Sequence, residues 1–131
     1  MDGPRAPSKG EYEALVRFLN SHLRPGISWS IPEEYPMALN PTNLHNIRVI
    51  TEGSEILSHA VLRPLILKTP AGLLKVGGIG SVVTHSQYRA QGLSSKILED
   101  CLAAAKEQAC DIAILWTDLF DFYRRFGGLA D

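Results

Sequence analysis

The sequence predicts an α/β fold, an α+β mixed sheet within a single domain, and three observations carry that prediction. Between residues 46 and 84, three strand-like runs follow one another with only short turns between them. From Gln91 to Ala109 the apolar period lengthens to that of a helix. A compact apolar run, Ile112-Ala113-Ile114-Leu115-Trp116, then has the length and composition of a buried strand.

The elements are taken in chain order. The opening MDGPRAPSKG is polar and rich in Pro and Gly, which predicts a loose arm over residues 1–9 and not a signal peptide. Ser8-Lys9-Gly10-Glu11 has the form of a capping box. Tyr12, Leu15, Val16, Leu19 and Leu23 follow at helical spacing and stop at Pro25-Gly26, giving an amphipathic first helix. Residues 26 to 45 are punctuated by Trp29, Pro32, Tyr35, Pro36 and Pro41, and read as irregular with one short helix near Pro32 to Leu39. An irregular stretch of that length often serves as a lid or pocket wall. Trp29 and Tyr35 fit either a substrate pocket or a plug for the core.

Asn46 to Thr51 is the first strand, ending at the turn signal Glu52-Gly53-Ser54-Glu55. Ile56 to Lys68 is the second, with a bulge or bend expected at Pro64. Thr69-Pro70-Ala71-Gly72 turns into the third, Leu73 to Thr84. In the following helix, Leu93, Ile97, Leu98, Cys101, Leu102 and Ala105 mark one face. After the Ile112–Trp116 strand, Asp118 can cap a last helix that carries Leu119, Phe122, Tyr123 and Phe126 and stops at Gly127-Gly128. The order α, β, β, β, α, β, α is a three-strand antiparallel meander running into a βαβα segment.

Composition narrows the function classes. At 131 residues, 45% hydrophobic and 21% charged, the chain suits one ordinary globular domain. No apolar run approaches the ~20 residues that span a bilayer, so no membrane association is expected. The formal net charge of −1, from 13 basic and 14 acidic side chains, argues against a nucleic-acid partner held by bulk charge. Cys101 and Cys110 have neither pairing nor metal-type spacing, and Cys101 falls on the helix's apolar face, so a reducing cytoplasmic location is expected. His22, His45, His59 and His85 have no ligand-like spacing, and each reads as solvent-exposed or singly hydrogen-bonded; no metal site is expected.

The chemistry concentrates where the third strand runs into the second long helix, through Val82-Val83-Thr84-His85-Ser86-Gln87-Tyr88-Arg89-Ala90-Gln91-Gly92-Leu93-Ser94-Ser95. The first N–H groups of a helix lack intrahelical partners and lie at the positive end of its dipole, which favours an anion. Gly92 lets a ligand approach the backbone, Ser94 and Ser95 are small hydroxyl donors, and Arg89 adds a full charge. Together they describe a phosphate or pyrophosphate cradle. The competing explanation is that Gly92 only packs the helix onto the sheet and that Arg89 is a solvated surface charge. Rival phosphate motifs fail: no Gly-Lys-Ser/Thr end is present, and Gly78-Ile79-Gly80 lies inside a strand without a third Gly.

At this point the sequence resembles the GNAT superfamily of N-acetyltransferases. The family signature Arg/Gln-x-x-Gly-x-Gly/Ala is matched by Arg89-Ala90-Gln91-Gly92-Leu93-Ser94, with Ser in place of the final Gly/Ala. A side chain at Ser94 must therefore turn away from the phosphates. Val82-Val83-Thr84 looks like the strand end that pairs with a pantetheine arm, and Phe122-Tyr123-Arg124-Arg125-Phe126-Gly127 looks like the family's aromatic-Tyr segment. The resemblance spans roughly residues 10 to 128 and implies the acyl-CoA N-acyltransferase fold.

It also implies a function: transfer of an acetyl group from acetyl-CoA, a cosubstrate, to a primary amine on a small molecule or protein. Backbone N–H groups of Ala90, Gln91, Gly92, Leu93, Ser94 and Ser95 would bind the pyrophosphate beside Arg89, and Val82, Val83 and Thr84 would meet the pantetheine. Tyr123 would protonate the leaving thiolate, a role open to a phenol of pKa ~10; otherwise it is a core aromatic. Glu33, Glu34 and His85 are candidates for the general base by location. Family members continue with two further strands that wall the acceptor site, and here the sequence stops at Asp131, so those strands are expected to be missing. The Ile112–Trp116 strand would then be an apolar sheet edge, which predicts a homo-oligomer. Alternatives are a CoA-binding module of this fold without turnover, and a phosphate-binding α/β domain unrelated to CoA.

Overall fold

The computed structural model describes residues 1–23 and 39–115. Seven regular elements fall there: β1 Asp2–Arg5, α1 Tyr12–Leu23, β2 Ile47–Glu52, β3 Glu55–Thr69, β4 Gly72–Thr84, α2 Leu93–Glu107 and β5 Ile112–Leu115. The five strands form one sheet in sequence order, antiparallel throughout except for the parallel β4–β5 pair. The mixed sheet, the meander and the βαβ step are those expected. The last helix, with Asp118, Phe122 and Tyr123, lies outside the described residues, as do Trp29, Glu33, Glu34, Tyr35 and nearly all of the expected short helix.

The side chains explain why the elements sit where they do. Alternation along the strands sorts apolar residues onto two faces, and one helix covers each. Leu15, Phe18 and Leu19 of α1 pack with Ile47, Val49, Ile56, Val61 and Val83. Leu93, Ile97, Cys101 and Ala105 of α2, four residues apart in each case, pack on Ile50, Leu57, Ala60, Leu62 and Ile79. Leu102, expected on that face, is 51% exposed, because the fully buried strip follows the i, i+4 spacing with Leu98 and Ala104 at its margin. At Gly77, a Cβ would lie 3.1–3.3 Å from Leu62, Ala105 and Cys110, so its missing side chain lets α2 approach the sheet.

Three expectations are corrected. The opening residues are not a loose arm: Asp2–Arg5 pairs with β2, Asp2 opposite Thr51 and Arg5 opposite Val49. The Arg5 guanidinium holds it there, donating to both Glu11 carboxylate oxygens at 2.8 and 2.9 Å, to Asp2 at 2.8 Å and to Thr51 Oγ1 at 3.1 Å. Gly3, which looked like a mark of looseness, has φ +111, and a Cβ there would lie 2.4 Å from the Val49 carbonyl oxygen. Glu11 also accepts from the Ser8 backbone N–H at 2.9 Å, the carboxylate half of the capping box, so one side chain joins β1 to the start of α1.

Pro64 does not bulge β3; it sits in register opposite Gly77. Pairing with β2 ends at Ile47–Val61, so among the described residues no strand pairs with that edge of β3 at Pro64 and a missing N–H is tolerated. The irregularities of β3 fall elsewhere: at Leu57, an extra β3 residue against Ile50 and Thr51 of β2, and between His59 and Val61, where β4 carries one extra residue. Finally, β5 is not buried: Ile112 is 43% and Leu115 53% exposed, since among the described residues this strand has a neighbour on one side only.

Candidate functional site

The site is assembled where β4 changes direction. Val61 faces Gly80 and His59 faces Val83, leaving Ser81 and Val82 opposite the single residue Ala60. Ser81 takes φ +51, a left-handed conformation uncommon for a residue with a side chain. Its carbonyl accepts a hydrogen bond at 2.8 Å from Nδ1 of His59, which is fully buried. Pairing of β4 with β5 runs from Val76–Ile112 to Ile79–Leu115 and no further among the described residues. Beyond the bulge, Val83 and Thr84 pair with His59 and Ser58 of β3, and among the described residues with no other strand.

After Thr84 the backbone tightens. His85 still donates to the Leu57 carbonyl at 2.7 Å, and Ser86–Tyr88 forms one short 3₁₀ turn. Ala90 has φ +63 and Gly92 φ +77, so two left-handed residues flank Gln91 before α2 begins at Leu93. A Cβ on Gly92 would meet nothing within 4 Å. Packing against the sheet therefore does not explain this glycine; its backbone angle does.

The first turn of α2 is open. Lys96 N–H donates to the Gly92 carbonyl at 3.2 Å, and Gly92 has no side chain with which to cap the earlier amides. These N–H groups face a cavity of about 240 Å³ lined by Thr84, Tyr88, Arg89, Ala90, Gly92, Leu93, Ser94 and Ser95, with no acidic side chain among them. The positive end of a 15-residue helix and the exposed Arg89 give the cavity a field suited to an anion. Thr84 Oγ1 lies 2.7 Å from Ser94 Oγ and 3.0 Å from Ser58 Oγ, a row of hydroxyls from β3 across β4 to α2. The Ser94 side chain is thus turned onto the strand.

Most of the expected residues meet here. Gln91 is exposed and outside the cavity lining, Val83 is buried in the α1 core, and Val82 packs against the α2 core. Tyr88 joins the lining without having been singled out; its position next to Arg89 was the available signal.

His85 is not placed as a base. Its Nδ1 accepts from Gln87 N–H at 3.1 Å, which puts the proton of the neutral ring on Nε2, 3.5 Å from Glu55 Oε1. No lone pair is left over. The ring also stands edge-on to Tyr88, centroids 5.5 Å apart, and lines a separate cavity of about 380 Å³ with Arg17, Phe18, His22, Glu55 and others. Cys101 is fully buried, and burial pushes its thiol up to about 12, as an inert core residue requires. Among the described residues no group of three His, Cys, Asp or Glu side chains is placed to hold a metal, and no helix is long and apolar enough to cross a membrane. The residue that sequence reasoning passed over is His59. Burial depresses its pKa to about 4, only partly opposed by the Ser81 bond, and among the described residues its Nε2 has no hydrogen-bond partner.

Comparison with known proteins gives this geometry a context. A family model described as Acetyltransferase (GNAT) domain matches residues 28–128. An acetyltransferase from Trypanosoma brucei superposes with a TM-score of 0.65 at 22% identity, covering 97% of this chain and 92% of that one. Glucosamine-6-phosphate N-acetyltransferase from Arabidopsis thaliana gives 0.65 at 18% identity, covering 97% and 90%. An N-acetyltransferase from Kribbella flavida gives 0.70 at 15% identity, covering 92% of this chain and 31% of that one. Among curated proteins, none matches the sequence significantly.

Proposed function

Because the chain belongs to the GNAT acetyltransferase family, we propose that it transfers an acetyl group from acetyl-CoA to a primary amine by direct attack. It is an acyltransferase enzyme. The observation that carries the choice of donor is the open first turn of α2, with Gly92 at φ +77, beside a cavity without acidic lining. A pyrophosphate fits such a cradle: it needs several convergent N–H donors, room, and no competing carboxylate.

In this reading the backbone N–H groups of Ala90 through Ser95 hold the pyrophosphate, and Arg89 adds its charge. Val82, Val83 and Thr84, on the stretch of β4 past its pairing with β5, offer backbone groups to the pantetheine. Acetyl-CoA supplies the thioester carbonyl. The amine arrives neutral; its nitrogen bonds to the carbonyl carbon as the C–S bond breaks. Its surplus proton passes to water or to a carboxylate such as Glu33 or Glu34, while Tyr123 gives its phenolic proton to the departing thiolate. The acceptor is an amine on a small molecule or a protein, and the near-balanced charge of −1 favours neither. The exposed Ile112 and Leu115 on the β5 edge support self-association through that edge; light scattering that finds only monomer at micromolar concentration overturns it.

The deciding experiment is a calorimetric titration of the chain with acetyl-CoA, followed by turnover with a panel of amines. Micromolar binding and release of free CoA thiol are expected. Failure to bind acetyl-CoA overturns the donor, and binding without turnover on any amine overturns the acceptor class.

A further inference from the structure

We propose that His59 is a positioning residue for the acyl donor: by holding the Ser81 carbonyl it fixes the kink in β4 that aims Val82 to Thr84. The inference rests on the acetyl-CoA reading given above and adds to it a residue on a different strand, outside the cavity. Two independent features of the structure lead to it.

The first is geometric. Ser81 is held at φ +51, and its carbonyl is turned toward β3, where His59 Nδ1 meets it at 2.8 Å. A carbonyl oxygen only accepts, so this contact places the imidazole proton on Nδ1. Both residues are buried, His59 completely, so no bulk water can take over the bond. The kink lies two residues past the last β4–β5 pair, Ile79–Leu115, and one residue before the segment assigned to the pantetheine. An extra residue in one strand re-aims all that follows it. Released, the Ser81 peptide is free to rotate within the bulge, and the amides and carbonyls beyond it would turn.

The second feature is the orphan atom. With Nδ1 committed to Ser81, Nε2 is a bare lone pair in the protein interior without a partner among the described residues. An apolar side chain would fill that space without leaving a polar atom unsatisfied. The polar contact that accounts for a histidine here is its Nδ1–H on Ser81. Burial, which depresses its pKa to about 4, keeps the ring neutral and this tautomer intact around neutral pH.

Two variants separate positioning from mere packing. In His59→Asn the side-chain amide nitrogen takes nearly the place of Nδ1 and can still donate to Ser81. In His59→Leu the volume is kept and the donor is lost. Acetyl-CoA affinity should fall about tenfold in His59→Leu, the usual effect of one buried hydrogen bond on a binding equilibrium. In His59→Asn it should return to within about threefold of wild type. Backbone amide exchange of Val82 to Thr84, measured without ligand, should speed up in His59→Leu only. If His59→Leu does not fold, His59→Gln, whose amide sits one methylene too far out, replaces it. Wild-type affinity in the donor-less variant, or equal losses in both variants, overturns the proposal. Failure of the wild-type chain to bind acetyl-CoA overturns the donor reading, and with it the assignment of His59 to that donor.

Discussion

The hydroxyl oxygens of Thr84 and Ser94 lie 2.7 Å apart, and this one contact ties the end of β4 to the first turn of α2. It settles which way the Ser94 side chain faces in a position where the signature has Gly or Ala. The hydroxyl is bound to the strand, so the backbone amides above it are left for a ligand. Ser94→Ala should therefore cost about 1 kcal/mol of stability, typical for one hydrogen bond. Acetyl-CoA affinity should stay within about threefold of wild type. A tenfold loss, read by calorimetry on folded protein, would mean instead that the hydroxyl itself contacts the donor.

Gly92 separates backbone strain from ligand exclusion. Gly92→Ala has open space for its Cβ but must adopt φ +77, so about 1–2 kcal/mol of stability should be lost, with the fold retained. Gly92→Glu adds bulk and negative charge at the cradle and should abolish acetyl-CoA binding. Equal affinity in the glutamate variant would remove the cradle from the mechanism.

Tyr123→Phe tests the proposed acid. Turnover should fall at least about tenfold with donor affinity nearly unchanged, the signature of a group that acts only in the chemical step. Undiminished kcat would transfer the role to water or another group.

His59 makes a prediction about acid stability. Its folded pKa of about 4 lies below the ~6.5 of an exposed histidine, so the unfolded chain takes up the proton first. The neutral ring's contribution is complete above pH ~6.5 and is lost as pH falls toward 4, by on the order of 3 kcal/mol. Denaturant midpoints between pH 7 and 4 should show this decline, and His59→Asn should flatten it. An equally steep profile in the variant would assign the acid sensitivity to other groups.

Glu11 titrates in the same sense, and lower. The Arg5 hydrogen bond, helped by the Ser8 amide, holds its carboxyl down at about 2. Its contribution is present above the ordinary carboxylate pKa of ~4.3 and disappears as pH falls through about 2. Glu11→Gln should mimic the acid state at neutral pH by freeing β1. Amide exchange at Arg5 and Thr51 should then rise while that of β3 does not. No change at Arg5 would mean that Asp2 and Thr51 hold the strand without Glu11.

Much of this molecule was legible in the residues, and the misses share a physical cause. Helix and strand periods were local signals, so α1, the meander and α2 emerged within a residue or two. The turn proposed to bind an anion could be located for the same reason: strand, glycine, small residues and arginine are contiguous from Val82 to Ser95. What failed depended on partners distant in the chain. Asp2–Arg5 is a strand because Arg5 meets Glu11 and Thr51, and Gly3 marks close contact with Val49 in place of looseness. Pro64 was read as a bend, but β2 ends too early for it to interrupt a ladder. The bulge at Ser81 has no glycine or proline of its own; His59, 22 residues away, accompanies it. A histidine surrounded by Leu, Ser, Ala and Val gives no local hint of that.

The sheet divides the buried residues into two compartments that have no side chain in common, one under α1 and one under α2. Substitutions in separate compartments that share no partner combine additively. A cavity made at Leu15 and another at Ile97, each worth about 2–5 kcal/mol as Ala, should sum without correction. The two faces are thus free to diversify at different rates. The compartment that seats α2, and with it the turn from Arg89 to Ser95, can stay fixed while the one beneath α1 drifts, and neither lineage of changes has to be compensated in the other.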